Sequence, residues 1–188
     1  MEENQMNAAK QAFVQWGIPL GLVNVAIYGL VYSLNAQLLV SVGLGVGLIA
    51  LNGAVLIWAL IRARKAQGGY ASFRSLFSVY MGIAVGLVVL TTAFNYTLYT
   101  WIDPTLSEQV MAWSQEKTVA MMESMGTPDE EIDKAMAKME SMEGQNLFTP
   151  GRMALSFFSS LLVQAVLAAI FAAIFKKNKP LFAPADEA

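Results

Sequence analysis

The stretch Gln11–Ile61, QAFVQWGIPLGLVNVAIYGLVYSLNAQLLVSVGLGVGLIALNGAVLIWALI, contains no Asp, Glu, Lys or Arg. About 20 apolar residues cross a bilayer core as a helix, so this run is long enough for two crossings. Two further runs, Ser75–Ile102 and Met153–Phe175, are also free of charge, and each is long enough for one. A surface helix of a water-soluble bundle keeps a polar face toward solvent. These runs have none. The reading is therefore all-α: an integral membrane bundle of four transmembrane helices, with spans at 13–34, 38–61, 76–102 and 153–175. An extramembrane amphipathic helical hairpin at 103–152 lies between helices three and four. The whole chain is read as one domain.

Composition agrees. Of 188 residues, 56% are hydrophobic and 14% charged, whereas a soluble domain carries about 25% charged residues. The net charge of −2 gives no basic surface for nucleic acid. Neither cysteine nor histidine occurs, which removes disulfides, thiol nucleophiles, imidazole bases and most zinc chemistry. No cofactor and no metal site is expected. The first apolar run exceeds a signal-peptide core and lacks a small-residue cleavage site after it, so it is read as a retained anchor.

The basic residues set the expected topology. Arg62, Arg64, Lys65 and Arg74 flank the loop RARKAQGGYASFR, Lys176, Lys177 and Lys179 follow span four, and Lys10 precedes span one. Four crossings place all three clusters on one side, which the positive-inside rule makes cytoplasmic. The region Asp103–Arg152 holds ten acids against four bases, a net of −6. It is expected outside, in the periplasm of a bacterial inner membrane, with both termini cytoplasmic.

Local signals divide that region into two helices. Asp103-Pro104 reads as a helix start, Gly126 as a helix end, and Thr127-Pro128-Asp129-Glu130 as a capping box opening a second helix. Glu130 and Lys134 are a favourable pair four apart. Ile132, Ala135, Met136, Met139 and Met142 share one face of the second helix, and Leu106, Val110, Trp113 and Met121 share one face of the first.

The segments "GGYASF" at Gly68–Phe73 and "NYTLYTWIDP" at Asn95–Pro104, with the hairpin motif "GTPDEEIDKAM" and the closing "KKNKP", carry a likeness over nearly the whole chain. Together they resemble a family of small bacterial membrane proteins known as domain of unknown function 4199, common in the Bacteroidetes group. The resemblance implies a four-helix domain in the bacterial inner membrane. It brings no activity and no catalytic residue to carry over.

Three features invite a functional reading. Glycine pairs four apart, Gly17 and Gly21, Gly43 and Gly47, and Gly82 and Gly86, allow close helix approach, within one bundle or between two copies. Seven of the 11 methionines fall between Met111 and Met142. Trp113, Met121, Met122, Met125, Met136, Met139 and Met142 are candidates for binding an envelope partner or a second copy, because flexible thioethers suit adaptable surfaces. They also serve to close the hairpin, and thioethers are soft enough for Cu(I), although no His or Cys assists them. Polar residues within the spans include Gln15, Asn24, Asn52, Thr91, Thr92, Asn95 and Gln164. None is ionisable, so interhelical hydrogen bonds are their expected role, with a path for an uncharged solute lined by Asn24, Asn52, Asn95 and Gln164 as the alternative. Motifs for acyl transfer, zinc hydrolysis or phosphate loops do not occur. The expected function is thus non-enzymatic, with the lipid bilayer as surroundings and the hairpin as the associating element; the alternative is a small channel or transporter.

Overall fold

In the computed structural model the residues described are 2–140 and 149–177. Among the described residues there are seven α-helices: α1 (Glu2–Ala12), α2 (Ile18–Asn35), α3 (Val42–Ala66), α4 (Phe73–Thr97), α5 (Leu106–Ser124), α6 (Asp129–Glu140) and α7 (Pro150–Phe175). Four stretches are long and apolar enough to cross a membrane: Met6–Val40, Val42–Ala66, Phe73–Ile102 and Gly151–Phe175. The fold is therefore an all-α bundle with four candidate spans, and helices α5 and α6 form a hairpin between the third and the fourth.

The first span starts earlier than the charge pattern suggests. Helix α1 passes into α2 through a π-helical turn at Phe13–Gly17. Pro19 explains the turn: its ring crowds the carbonyl of Gln15 and it has no N–H to offer that carbonyl. A wider turn loosens the ladder at that point, so the helix continues without a break. A second π turn, Leu98–Ile102, ends the third span, where the Asp103 N–H reaches the Leu98 carbonyl at 2.8 Å.

The connections follow local chemistry. Between the first two spans the turn is longer than Asn35-Ala36: a 3₁₀ segment occupies Ala36–Val40, opened by the Asn35 side chain accepting from the Gln37 N–H. Ser41 then caps α3 by accepting from the Leu44 N–H, and Ser72 caps α4 by accepting from the Ser75 N–H. Helix α3 is closed just past its end by Gly68, whose φ of 72° favours a residue without a Cβ. The Gly68 N–H bonds to the Lys65 carbonyl and the Gly69 N–H to the Arg64 carbonyl, the paired closure of a Schellman motif.

Helix α4 is the axis of the bundle, touching α1, α2, α3 and α7. The core gathers around its first half. Leu76, Val79, Tyr80, Ile83, Ala84 and Leu87 pack with Leu56, Ala59 and Leu60 of α3 and with Ala168 and Ala172 of α7. Outward faces are left apolar. Val42, Val46 and Ile49 of α3 and Leu155, Phe158, Leu162, Val166 and Ile174 of α7 are exposed. Such a surface suits hydrocarbon rather than water.

One end of the bundle is basic. The backbones of Ala71 and Lys177 exchange two hydrogen bonds of 3.0 Å, so the loop after α3 meets the end of α7. Lys177 lies over the Tyr70 ring and Arg62 over the Trp58 ring. The hairpin leaves from the other end of α4.

Candidate functional site

Two of the three glycine pairs meet. Spans one and three run in the same direction, and Gly17 and Gly21 cross Gly82 and Gly86. A Cβ added at Gly86 would lie 2.7 Å from the Gly17 carbonyl carbon, and one at Gly17 would lie 3.0 Å from the Ile83 carbonyl oxygen. A Cβ at Gly82 would overlap the Ala9 backbone, and one at Gly21 would reach 2.7 Å from Leu90. Here backbone rests on backbone, as small-residue pairs permit. Gly43 and Gly47 differ: a Cβ at either would meet nothing within 4 Å. No part of the described chain packs on that face of α3.

The four residues proposed to line a solute path do not line one space. Asn24, which is buried, donates to the Asn52 side-chain oxygen at 2.8 Å and receives the Asn52 amide at 3.1 Å. It also donates to the Leu20 carbonyl at 2.8 Å. Gln164 accepts from the Tyr80 hydroxyl at 2.9 Å. These three residues join helices to one another, because a polar group in hydrocarbon is costly unless it is paired.

Asn95 stands apart. It lies on the wall of a half-open hollow of about 820 Å³ bordered by α2, α4, α5 and α7 toward the hairpin end of the bundle. Helix α4 and its π turn supply Thr91, Thr92, Asn95 and Tyr99, helix α7 supplies Arg152, Ser156 and Ser160, and α2 supplies Tyr28. Leu39 and Val110 close the wall from the 3₁₀ segment and α5. The Thr91 hydroxyl donates back to the Leu87 carbonyl at 2.8 Å. Ala168 and Ala172 of α7 are fully buried against the core around α4, while Ser156 and Ser160, nearer the hairpin end, are exposed. The sequence carried the signal in two stripes. Thr91, Asn95 and Tyr99 recur every four residues, as do Arg152, Ser156 and Ser160, so each set falls on one helix face. Charge counting alone does not reveal them, since only Arg152 is ionised.

The hairpin is joined to this end. Asp103 is the hinge: its carboxylate accepts from the Thr105 hydroxyl at 2.8 Å, the Leu106 N–H at 3.1 Å and the Tyr32 hydroxyl at 3.2 Å. The Thr105 bond is the largest influence holding this carboxyl below the usual carboxylate range. Partial desolvation opposes it, and the Tyr32 and Leu106 bonds reinforce it. These contacts delay the start of α5 to Leu106, which is buried. At the far end the Gly126 N–H bonds to the Glu123 carbonyl and the Thr127 N–H to the Met122 carbonyl, a second Schellman closure, with Gly126 at φ 73°. Glu130 and Lys134 form their ion pair at 2.7 Å.

Helix α6 packs on α5. Ile132 is buried, and Ala135, Met136 and Met139 on the same face are half-buried, as are Trp113 and Met122 of α5. Met121 and Met125 are exposed, Met125 at 74%. Met142 lies outside the described residues. Among those described, no group of three carboxylates is placed to hold a metal ion.

A family model described as "Protein of unknown function (DUF4199)" matches residues 15–177. No curated protein and no solved structure matches the chain. The match takes in most of the first candidate span, the other three spans and the hairpin, and the chain belongs to that family.

Proposed function

We propose that this is a non-enzymatic protein of the bacterial inner membrane whose hairpin associates with another envelope protein or a second copy. The loop after α3 and both chain ends face the cytoplasm in this reading, and the hairpin faces the periplasm. The observation that carries it is the division of the hairpin's methionines. Met136 and Met139 are withdrawn toward α5, whereas Met121 and Met125, beside the Gly126 turn, are left to solvent. Exposed thioethers near a projecting tip suit an adaptable contact. Support for the orientation is the basic end, where Arg62, Arg64, Lys65, Arg74, Lys176 and Lys177 gather, as cytoplasmic loops do.

A photo-crosslinking side chain placed at Met125 in living cells tests this. Met125 is preferable to Gly126, whose positive φ resists any side chain. The expected adduct is one discrete envelope protein or a crosslinked homodimer. Absence of any adduct at both Met121 and Met125 would refute the association.

A further inference from the structure

We infer that the hollow between α1, α3 and the start of α4 is a seat for the head of an anionic phospholipid, its phosphate against Arg62 and its acyl chains running past Trp16 and Trp58 toward the middle of the bundle. The inference rests neither on the hairpin's partner nor on which side of the membrane the basic end faces.

The first observation is a gap with a braced rim. Helices α1 and α3 each pack on α4, and a half-open hollow of about 660 Å³ lies between them. Short side chains leave that space: Ala8 and Ala12 on the α1 wall, and Ala59, Ala63 and Ala66 on the α3 wall. At the rim the Gln67 amide donates to the Ser75 hydroxyl at 2.9 Å and to the Ala63 carbonyl at 3.1 Å. These bonds tie the end of α3 to the first turn of α4 and fix one side of the opening. Sites for small ligands run from roughly 300 to 1,000 Å³, so the hollow has room for a phosphoglycerol head.

The second observation is charge. Among the described residues Arg62 is the only charged group on the wall, and no carboxylate lines it. A long basic side chain at the end of a span usually reaches out to water. Arg62 turns the other way: its guanidinium lies 5.0 Å from the centre of the Trp58 ring, one turn nearer the middle of α3. Stacking occupies the face of a guanidinium and leaves its edge, whose planar fork of N–H donors matches a phosphate. Among the described residues Arg62 makes no ion pair. Gln11 and Gln15, one turn apart on α1, add amide donors from the opposite wall. A cation drawn back along the span calls for an anion beside it, because hydrocarbon does not balance its charge.

The third observation is depth. The hollow lies where the second span ends, at Ala66, and the third begins, at Phe73. Trp16 on its wall meets Trp58 edge to face, with ring centres 4.9 Å apart. The pair links the π turn of the first span to α3, and indole rings sit where lipid heads give way to acyl chains. Trp58 is 49% exposed, so the surface leading from the hollow toward the bundle's middle is open to lipid. A positive, amide-lined seat beside an aromatic pair fits a head and its chains together. A free phosphate shares the head's chemistry and would use the seat alone. Arg64, Lys65, Arg74, Lys176 and Lys177 at the same end attract anionic lipid generally, and none of them lines the hollow.

The test uses the full-length protein in neutral detergent, titrated with dioleoyl phosphatidylglycerol or dioleoyl phosphatidylcholine, with bound mass read by native mass spectrometry. The expected result is a preference for phosphatidylglycerol of at least about tenfold, the scale of one charge-assisted hydrogen bond. Arg62→Gln removes the preference. Lys65→Gln, which takes a charge from the same helix end but not from the wall, keeps it. Ala66→Phe, which puts a ring in the hollow and leaves every charge in place, removes it as well. Arg62 and Ala66 are both exposed, so neither change disturbs the core. Equal retention of the two phospholipids overturns the inference, as does a preference that survives Arg62→Gln or Ala66→Phe. A loss in Lys65→Gln equal to that in Arg62→Gln assigns the preference to the basic surface as a whole and overturns the seat. Displacement of bound phosphatidylglycerol by inorganic phosphate at equal concentration overturns the lipid, since its chains would then contribute nothing.

Discussion

Replacing Gly86 by Ala should destabilise the bundle, and replacing Gly47 by Ala should not. The two residues hold equivalent places in their motifs, so sequence gives no reason to separate them. Geometry does. The new Cβ at position 86 would sit 2.7 Å from the Gly17 carbonyl carbon and 2.8 Å from its Cα. Both atoms are backbone and cannot rotate away. The first and third spans must part by about half an ångström to one ångström to restore van der Waals distance, and a gap of that size forfeits a quarter to a half of each contact across the crossing. Overpacking of this kind costs about 1–3 kcal/mol. Alanine recovers up to about 1 kcal/mol through helix propensity, leaving a net loss on the order of 1–2 kcal/mol. At position 47 no atom lies within 4 Å, so only the propensity gain operates. The assay is unfolding of each variant in mild detergent, followed by helical circular dichroism. Gly86→Ala should unfold several degrees earlier, given about 2–4 °C per kcal/mol for a chain of this size. Gly47→Ala should unfold at or above the wild-type midpoint. Equal stability of Gly86→Ala and wild type would refute the close crossing. A loss in Gly47→Ala matching that of Gly86→Ala would show that the open face of α3 is covered by something other than this chain.

Asn24→Leu should cost about 1 kcal/mol, within the range found for hydrogen bonds between membrane helices, and Asn24→Leu with Asn52→Leu should cost less than the sum of the single changes; additive losses in a double-mutant cycle would show that the amide pair is not coupled. Acidification should loosen the start of α5: because the Asp103 carboxyl is depressed in the folded chain, its stabilising effect is complete above the unfolded value of about 3.9 and is lost as pH falls through the folded value. The protection of the Leu106 amide against hydrogen exchange, taken relative to the intrinsic rate at each pH, should therefore fall below about pH 4 in wild type, and unchanged protection there would contradict the role given to the carboxylate. Gly126→Ala should destabilise the hairpin by about 1 kcal/mol through its left-handed backbone and leave the spans unaffected, with Gly126→Asn milder; limited proteolysis between α5 and α6 measures it, and resistance equal to wild type would refute the strain argument.

The spans were legible because charge is excluded from hydrocarbon, and its absence over Gln11–Ile61, Ser75–Ile102 and Met153–Phe175 marks membrane depth directly. The hairpin's turn was legible for a different reason: Gly126 and the Glu130–Lys134 pair act through neighbours in sequence, so their geometry is local. What sequence left open depends on which faces meet. Three glycine pairs look alike, yet Gly17, Gly21, Gly82 and Gly86 share a crossing and Gly43 and Gly47 face outward. Asn24, Asn52, Asn95 and Gln164 look like one polar set, yet three of them tie helices together and one borders a cavity. Pro19 suggests a bend, and the π turn before it absorbs the strain instead. Each outcome turns on the relative rotation of helices far apart in the chain, which short-range pattern does not encode.

The two ends of the bundle have different solutions to the same constraint. Toward the basic end, Ala59, Ala84, Ala168 and Ala172 bring α3, α4 and α7 into close contact, and the polar groups Tyr80 and Gln164 are spent on each other. Near the hairpin, serines and threonines replace alanines, α7 diverges, and the polar groups face a chamber. The hairpin inherits this contrast. Its base is fixed by Asp103, Tyr32 and the buried Leu106, and Val110 forms part of the chamber wall; its tip, with Met121 and Met125, touches neither. Substitutions at the tip therefore act on association alone. A substitution at Val110 reaches both the chamber and the hairpin.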